Sequence, residues 1–121
     1  MSNTIVHTEI GVTRLADGAK FYKLVFPHWK LVKSDAIPDH YFVEDTDNND
    51  LSLGIYLTDE IKDHGSINIY IDVGDIPAAI QRITEAGGRV LMEKTAIGGE
   101  NGYISRFEDP FGNHIGIWSK D

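Results

Sequence analysis

A histidine and a glutamate stand close together near the start of the chain, where their side chains can share proton chemistry. His7 and Glu9 lie two residues apart within residues 5–12, IVHTEIGV, whose β-branched residues and rough alternation predict a strand. Side chains two apart on a strand point to the same face of a sheet. Since an imidazole beside a carboxylate can move a proton or orient a polar ligand, His7 and Glu9 are the candidate catalytic residues.

Two glycines inside predicted strands are each followed, two residues later, by an aromatic residue. Gly54 precedes Tyr56, and Gly116 precedes Trp118. A glycine within a strand often marks the close approach of a ligand or of another backbone, and the alternative is a bulge that curves the sheet. Two aromatic faces beside a glycine floor suit a flat, partly apolar molecule, unless the rings simply fill the core. The four residues are therefore candidate ligand contacts.

The elements that must position these residues occur twice along the chain. Each half reads strand–helix–strand–strand–strand, with helices predicted over 14–26 and 75–87. Residues 7–12 align with residues 66–71, and residues 54–56 align with residues 116–118. A repeat of about half the chain is decisive for fold class. The sequence predicts an α+β fold: one domain, 1–121, made of two βαβββ modules (about 1–58 and 66–121), with helices outside a curved mixed sheet.

The most specific motif lies near the C-terminus, where Phe107–Asn113 reads F-E-D-P-F-G-N. Its proline and glycine are turn residues between two predicted strands. With the opening V-H-x-x-I-x-V at 6–12, the Phe21-Tyr22 pair and the doubled module, the chain resembles the vicinal oxygen chelate superfamily. That group includes glyoxalase I, extradiol dioxygenases, fosfomycin resistance proteins and bleomycin-binding proteins. The ending D-P-F-G-N-x-I-G is similar to a glyoxalase-related branch that is mostly of unassigned activity.

The resemblance implies a set of metal ligands, most of which this chain lacks. Metal-dependent members place His or Gln on the first strand, Glu on the fourth, His on the fifth and Glu on the eighth. His7 matches the first position, whereas the other three fall on Gly54, Ser66 and Gly116. A catalytic metal site needs about three protein donors. We therefore expect no metal at these positions, and no cofactor is predicted there.

Two histidines lie two residues from the expected positions, which gives a second candidate set of metal ligands. His64 precedes Ser66 by two residues, and His114 precedes Gly116 by two. Because side chains two apart share a strand face, a shift of two residues would return imidazoles to the cavity. A divalent metal held by His7, Glu9, His64 and His114 is the alternative.

Composition limits the partners of the chain. Eleven basic residues against 19 acidic residues give a formal net charge of −8, which opposes binding to nucleic acid or to an anionic membrane surface. There is no cysteine, no long apolar run and no visible signal peptide, so a cytoplasmic location is predicted. The resemblance implies a homodimer.

The sequence predicts a protein that binds a small organic molecule in the cavity between its two modules, without the usual metal. The predicted ligand contacts are Gly54, Tyr56, Ser66, Asn68, Gly116 and Trp118. Two enzymatic alternatives stay open. One is a lactoylglutathione-lyase-like or dioxygenase-like enzyme with a divalent metal at the shifted ligands. The other is a lyase or isomerase that uses His7 and Glu9 for acid–base catalysis without metal.

Overall fold

The computed structural model describes residues 7–44, 52–61 and 68–121, in which the predicted order of elements occurs twice. The first module contains β1 (His7–Val12), α1 (Leu15–Val25), β2 (Lys30–Lys33), β3 (His40–Glu44) and β4 (Ser52–Leu57). The second contains β5 (Tyr70–Asp72), α2 (Ile76–Glu85), β6 (Arg89–Ala96), β7 (Tyr103–Glu108) and β8 (His114–Ser119). The boundaries predicted for the two repeats stay a prediction, since residues 62–67 lie outside the described ranges.

Each module forms its own four-stranded mixed sheet. The strand orders are β1-β4-β3-β2 and β5-β8-β7-β6. The first strand of each module pairs with the last in parallel, and the other neighbours pair antiparallel. A parallel pair needs a long crossover, which the helix and the two middle strands supply. The α+β fold of two βαβββ modules is confirmed, with two sheets in place of one.

The helix sides of the two sheets share one hydrophobic core. Tyr22 of α1 and Phe107 of β7 are fully buried, and the ring of Phe21 lies 6.2 Å from that of Phe107 between centroids. The Arg82 side chain of α2 donates from Nε to the Val25 carbonyl oxygen at 2.9 Å. Because the core joins the modules through their helices, the opposite face of each sheet lies outside it and is available for a site.

The D-P-F-G-N turn connects the two modules through hydrogen bonds. The buried Asp109 carboxylate accepts from the backbone N–H groups of Phe111 and Asn113, both at 2.9 Å, and from the Tyr22 hydroxyl at 2.6 Å. The Asn113 side chain donates from Nδ2 to the Gly11 carbonyl oxygen at 2.6 Å. Burial, and then the negative charge of Asp109, raise the pKa of Tyr22 well above its ordinary value. The motif therefore holds β1 and α1 against the last hairpin.

The strand register corrects the alignment of the two repeats. Glu9 lies opposite Gly54 in the first sheet, and Tyr70 lies opposite Gly116 in the second. Tyr70 is thus the counterpart of Glu9, which makes Asn68 the counterpart of His7. The alignment of His7 with Ser66, which rested on local similarity, is wrong by two residues, because a shift of two keeps each side chain on the same face of the strand.

Candidate functional site

Three ligand-type side chains converge on the outer face of the first sheet. His7 and Glu9 project from β1, and His40 joins them from β3. The distance from His40 Nε2 to Glu9 Oε2 is 2.7 Å, and that from His7 Nε2 to Glu9 Oε2 is 3.7 Å. One ligand atom from each residue lies within 4.8 Å of the others. Two imidazoles and one carboxylate are a common donor set for divalent transition metals.

Gly54 makes this convergence possible. It lies on β4, between β1 and β3, with Glu9 opposite on one side and Phe42 on the other. A Cβ atom at Gly54 would lie 3.0 Å from His40 Nε2 and 3.5 Å from His7 Cε1. The position where the resemblance implies a glutamate is therefore covered by two imidazole rings from the adjoining strands.

Neighbouring side chains hold the two imidazoles in place. A hydrogen bond joins His7 Nδ1 to the Ser52 hydroxyl oxygen, so Nε2 is the ring nitrogen nearer Glu9. The His40 ring stacks on Tyr56 with 6.1 Å between centroids and a 21° interplanar angle. The side chain of His40 is 12 % exposed, against 34 % for His7 and 40 % for Glu9. The group is thus ordered at its base and open toward solvent.

An open cleft of ≈ 480 Å³ meets the cluster at Glu9 and lies within the size range of small-molecule sites. Glu9 belongs to both the cleft and the three-residue cluster. The remaining lining comes from β1, β4, the residues after β4 and the turn before β8: Gly11, Tyr56, Thr58, Glu60, Ile61 and Asn113. Tyr56, a predicted ligand contact, therefore lies on a cleft wall rather than in the core.

In the second sheet, the glycine equivalent to Gly54 is covered by a different kind of side chain. A Cβ atom at Gly116 would lie 2.9 Å from Tyr70 Cγ, so the tyrosine ring covers this glycine. The interpretation of Gly116 as an open floor is therefore wrong. The indole of Trp118 donates from Nε1 to the Asn101 carbonyl oxygen at 2.9 Å, and the loop around Gly102 lies against it. Tyr56 and Trp118 lie on different sheets, and a cavity between them stays a prediction.

The remaining predicted ligands lie elsewhere. His114 on β8 places Nε2 3.0 Å from Glu108 Oε2, in the second module. The hydrogen bond from His114, and then that from Arg89, lower the pKa of Glu108 below its ordinary value. His64 and Ser66 lie outside the described residues. Within the described ranges, the cluster of three contains His40 and not His114. Sequence reasoning missed His40, since nothing local to β3 indicates which residues of β1 it approaches.

A family model of the glyoxalase/bleomycin resistance protein/dioxygenase superfamily matches residues 4–117. The chain belongs to this superfamily. The resemblance drawn from the opening strand and the D-P-F-G-N motif is thereby confirmed. No curated protein matches the chain. None of the helices in the described part is long and apolar enough to cross a bilayer.

Solved structures of the superfamily share the fold at low sequence identity. A variant of the fosfomycin resistance protein FosX from Listeria monocytogenes, complexed with Mn(II) and 1S,2S-dihydroxypropylphosphonic acid, has a TM-score of 0.77 at 15 % identity; the match covers 100 % of this chain and 93 % of that one. A glyoxalase-related enzyme from Fulvimarina pelagi has a TM-score of 0.73 at 21 % identity, with coverage of 97 % and 88 %. The hypothetical protein SA1046 from S. aureus has a TM-score of 0.72 at 19 % identity, with 98 % of each chain covered.

Proposed function

We propose that the chain binds a divalent metal ion through His7, Glu9 and His40, and uses it to hold an oxygen-bearing small molecule in the adjoining cleft. The observation that carries this proposal is the convergence of two imidazoles and a carboxylate within 4.8 Å. Three protein donors leave coordination positions for water and a ligand, which is the pattern of metal sites that act on substrates. The proposal keeps the sequence's alternative of a shifted metal site, with His40 in place of His64 and His114.

Each residue has a distinct part in this proposal. A bound metal would act as a Lewis acid toward a carbonyl or hydroxyl oxygen. Ser52 orients His7, and Tyr56 packs against His40, so both imidazoles are fixed before an ion binds. On the cleft walls, Tyr56 would supply an aromatic face and Asn113 its amide oxygen, since Asn113 Nδ2 already donates to Gly11 and Asp109. Mn(II) together with a small oxygen-rich ligand in the FosX structure supports this class of function for the fold.

A metal-free function is the second candidate. The 2.7 Å distance between His40 Nε2 and Glu9 Oε2 favours it, because a hydrogen bond already satisfies both groups. The cluster would then orient a small organic ligand or move a proton, as first predicted for His7 and Glu9. In either case we propose a cytoplasmic homodimer. The contacts that the sequence predicted at Tyr56, Ser66, Asn68 and Trp118 stay predictions for the ligand site, whereas Gly54 and Gly116 are covered by side chains of the chain itself.

Metal stoichiometry in matched histidine variants tests the proposal. The full chain is dialysed against Zn²⁺, Mn²⁺ or Ni²⁺, washed, and measured by elemental analysis and by calorimetric titration. We expect about one ion per chain, because the three donors form one site. The donors must be deprotonated to bind the ion, and only folding brings them together. His40→Gln and Glu9→Gln should lose this ion, whereas the control His114→Gln should keep it.

The opposite pattern would contradict the metal proposal. If no ion is retained, or if His40→Gln retains it while His114→Gln does not, the cluster on the first sheet is not the metal site. Circular dichroism and thermal melts of each variant confirm that the fold is intact, so that loss of metal reports the site. A wild-type chain that binds no metal would favour the metal-free candidate.

A further inference from the structure

An arginine in the second module lies on the outer face of its sheet, beside Gly116, the glycine equivalent to Gly54 of the first sheet. Arg106 lies on β7, opposite Gly116 of β8. Its Nη2 donates to Asn68 Oδ1 at 2.9 Å, and its Nη1 donates to the Tyr70 hydroxyl at 3.2 Å. The guanidinium carbon also lies 5.6 Å from the centroid of the Tyr70 ring. Two residues of one segment therefore fix the direction of this side chain.

The charge of Arg106 is not compensated by these partners. An amide oxygen, a phenol and an aromatic face are all neutral. By contrast, Arg14 Nε lies 2.8 Å from Asp17 Oδ2, and Arg89 Nη2 lies 3.3 Å from Glu108 Oε1. Within the described ranges, no carboxylate lies within ion-pair distance of Arg106. A guanidinium has five N–H donors, of which two are used here, so charge and donors remain for a ligand.

The carboxylate nearest along the strand is already engaged. Glu108 is two residues from Arg106 on β7 and projects to the same face. Its Oε2 contacts His114 and its Oε1 contacts Arg89. Glu108 thus pairs with Arg89 and His114, and no ion pair in the described part of the chain joins it to Arg106.

Gly116 lets the Tyr70 ring lie close to the strand, beneath the Arg106 side chain. Because this residue has no side chain, the Tyr70 ring lies directly on the strand, and Arg106 rests over the ring. Arg106 is half-buried, so part of the residue is accessible to solvent. A side chain fixed before binding loses less rotamer freedom when a ligand arrives.

We propose that Arg106, positioned by Asn68 and Tyr70, binds the anionic group of a small oxyanion, a carboxylate or a phosphate-like group. The planar guanidinium matches two oxygens of such a group. Since the chain carries a net charge of −8, an anionic ligand needs a local cation of this kind. This inference goes beyond the proposed function, because Arg106 lies on the outer face of the second sheet and the metal cluster lies on the first.

Titration of the metal-free full chain with two simple anions tests this site. The chelator-treated protein, labelled with ¹⁵N, is titrated with sodium acetate and with inorganic phosphate, and the signals of the Arg106 Nε–H and Asn68 amide groups are followed. We expect saturable shifts, and Arg106→Gln should weaken binding about tenfold to hundredfold, the range of a charge-assisted contact. Arg106→Lys should retain part of the affinity. The matched control Arg14→Gln, which removes an arginine paired with Asp17 in the first module, should bind as the wild type does.

The outcomes separate this inference from the metal proposal. Saturable binding of either anion supports the inference. Tighter binding of acetate would identify a planar carboxylate as the preferred group, and tighter binding of phosphate a tetrahedral one. Absence of saturation with both anions, or equal binding by Arg106→Gln, would overturn it. Because no metal is present, His40→Gln should bind the anions normally, and Arg106→Gln should still bind metal. If anion binding is lost in His40→Gln instead, the anion occupies the histidine cluster, and the assignment to Arg106 is wrong.

Discussion

At the scale of single residues, two glycines in equivalent strand positions decide what each sheet can hold. Gly54 admits two imidazoles, and Gly116 admits a tyrosine ring. A glycine within a strand is locally unfavourable, which makes both positions informative in the sequence. The pattern indicated that something approaches the backbone there. It did not indicate that the approaching groups are this chain's own side chains.

The substitution Gly54→Ala tests the role of the first glycine. Its Cβ atom would lie 3.0 Å from His40 Nε2, so the imidazole must move by a few tenths of an ångström. We expect a folded chain whose metal affinity falls about tenfold to hundredfold, the cost found when residues that orient metal ligands are altered. Calorimetric metal titration measures the effect. Unchanged affinity would show that the ring positions above Gly54 are not required for metal binding.

At the scale of secondary-structure elements, the sequence indicated the order and type of the strands and helices well. The helix predicted over 75–87 is α2, with Asp75 capping its N-terminus through a bond from the Ala78 backbone N–H to Oδ1 at 3.0 Å. The strand predicted over residues 5–12 matches β1 in its described part, His7–Val12. These features depend on local residues: a cap, a proline in the first turn and side-chain alternation.

Relations between elements were harder to predict. The register of β5 was wrong by two residues, because alternation is the same after such a shift. His40 was missed for a related reason. Its distance from Glu9 depends on β4 lying between β1 and β3, and on Gly54 leaving space there. Neither relation is visible in the residues around His40 themselves.

The contact between α1 and the turn before β8 gives a prediction at this scale. Tyr22→Phe removes the hydroxyl that donates to the buried Asp109 carboxylate at 2.6 Å. Loss of a hydrogen bond to a buried charged group should lower the free energy of unfolding by about 1–3 kcal/mol. Urea denaturation measures this change, with half-buried Tyr41→Phe as the matched control. Equal effects of the two substitutions would contradict the role of the Tyr22–Asp109 bond in joining the modules.

At the scale of the whole molecule, each module presents the outer face of its sheet away from the shared core. The first face carries the histidine–glutamate cluster, and the second carries Arg106. Large apolar side chains also remain exposed, among them Val32, Leu57, Tyr70 and Leu91. Exposed apolar surface of this kind is typical of protein–protein contacts when it is contiguous. The homodimer proposed above rests on the resemblance, and these exposed positions are where a contact between copies can be tested.

The oligomeric state is therefore a direct prediction. Light scattering coupled to size-exclusion chromatography should give twice the chain mass of 13.5 kDa. The substitution Leu57→Glu places a charge on an exposed apolar position and should shift the population toward the monomer. A wild-type protein that elutes as a monomer at micromolar concentrations would contradict the homodimer.

Anomalous diffraction from crystals grown with Zn²⁺ or Mn²⁺ locates a bound ion without reference to activity. We expect a peak on the outer face of the first sheet, about 2.0–2.2 Å from a nitrogen of His7, a nitrogen of His40 and an oxygen of Glu9. Soaked crystals of His40→Gln serve as the control and should lack it. A peak beside His114 and Glu108, or an ordered crystal with no peak near His40, would contradict the assignment of this cluster as the metal site.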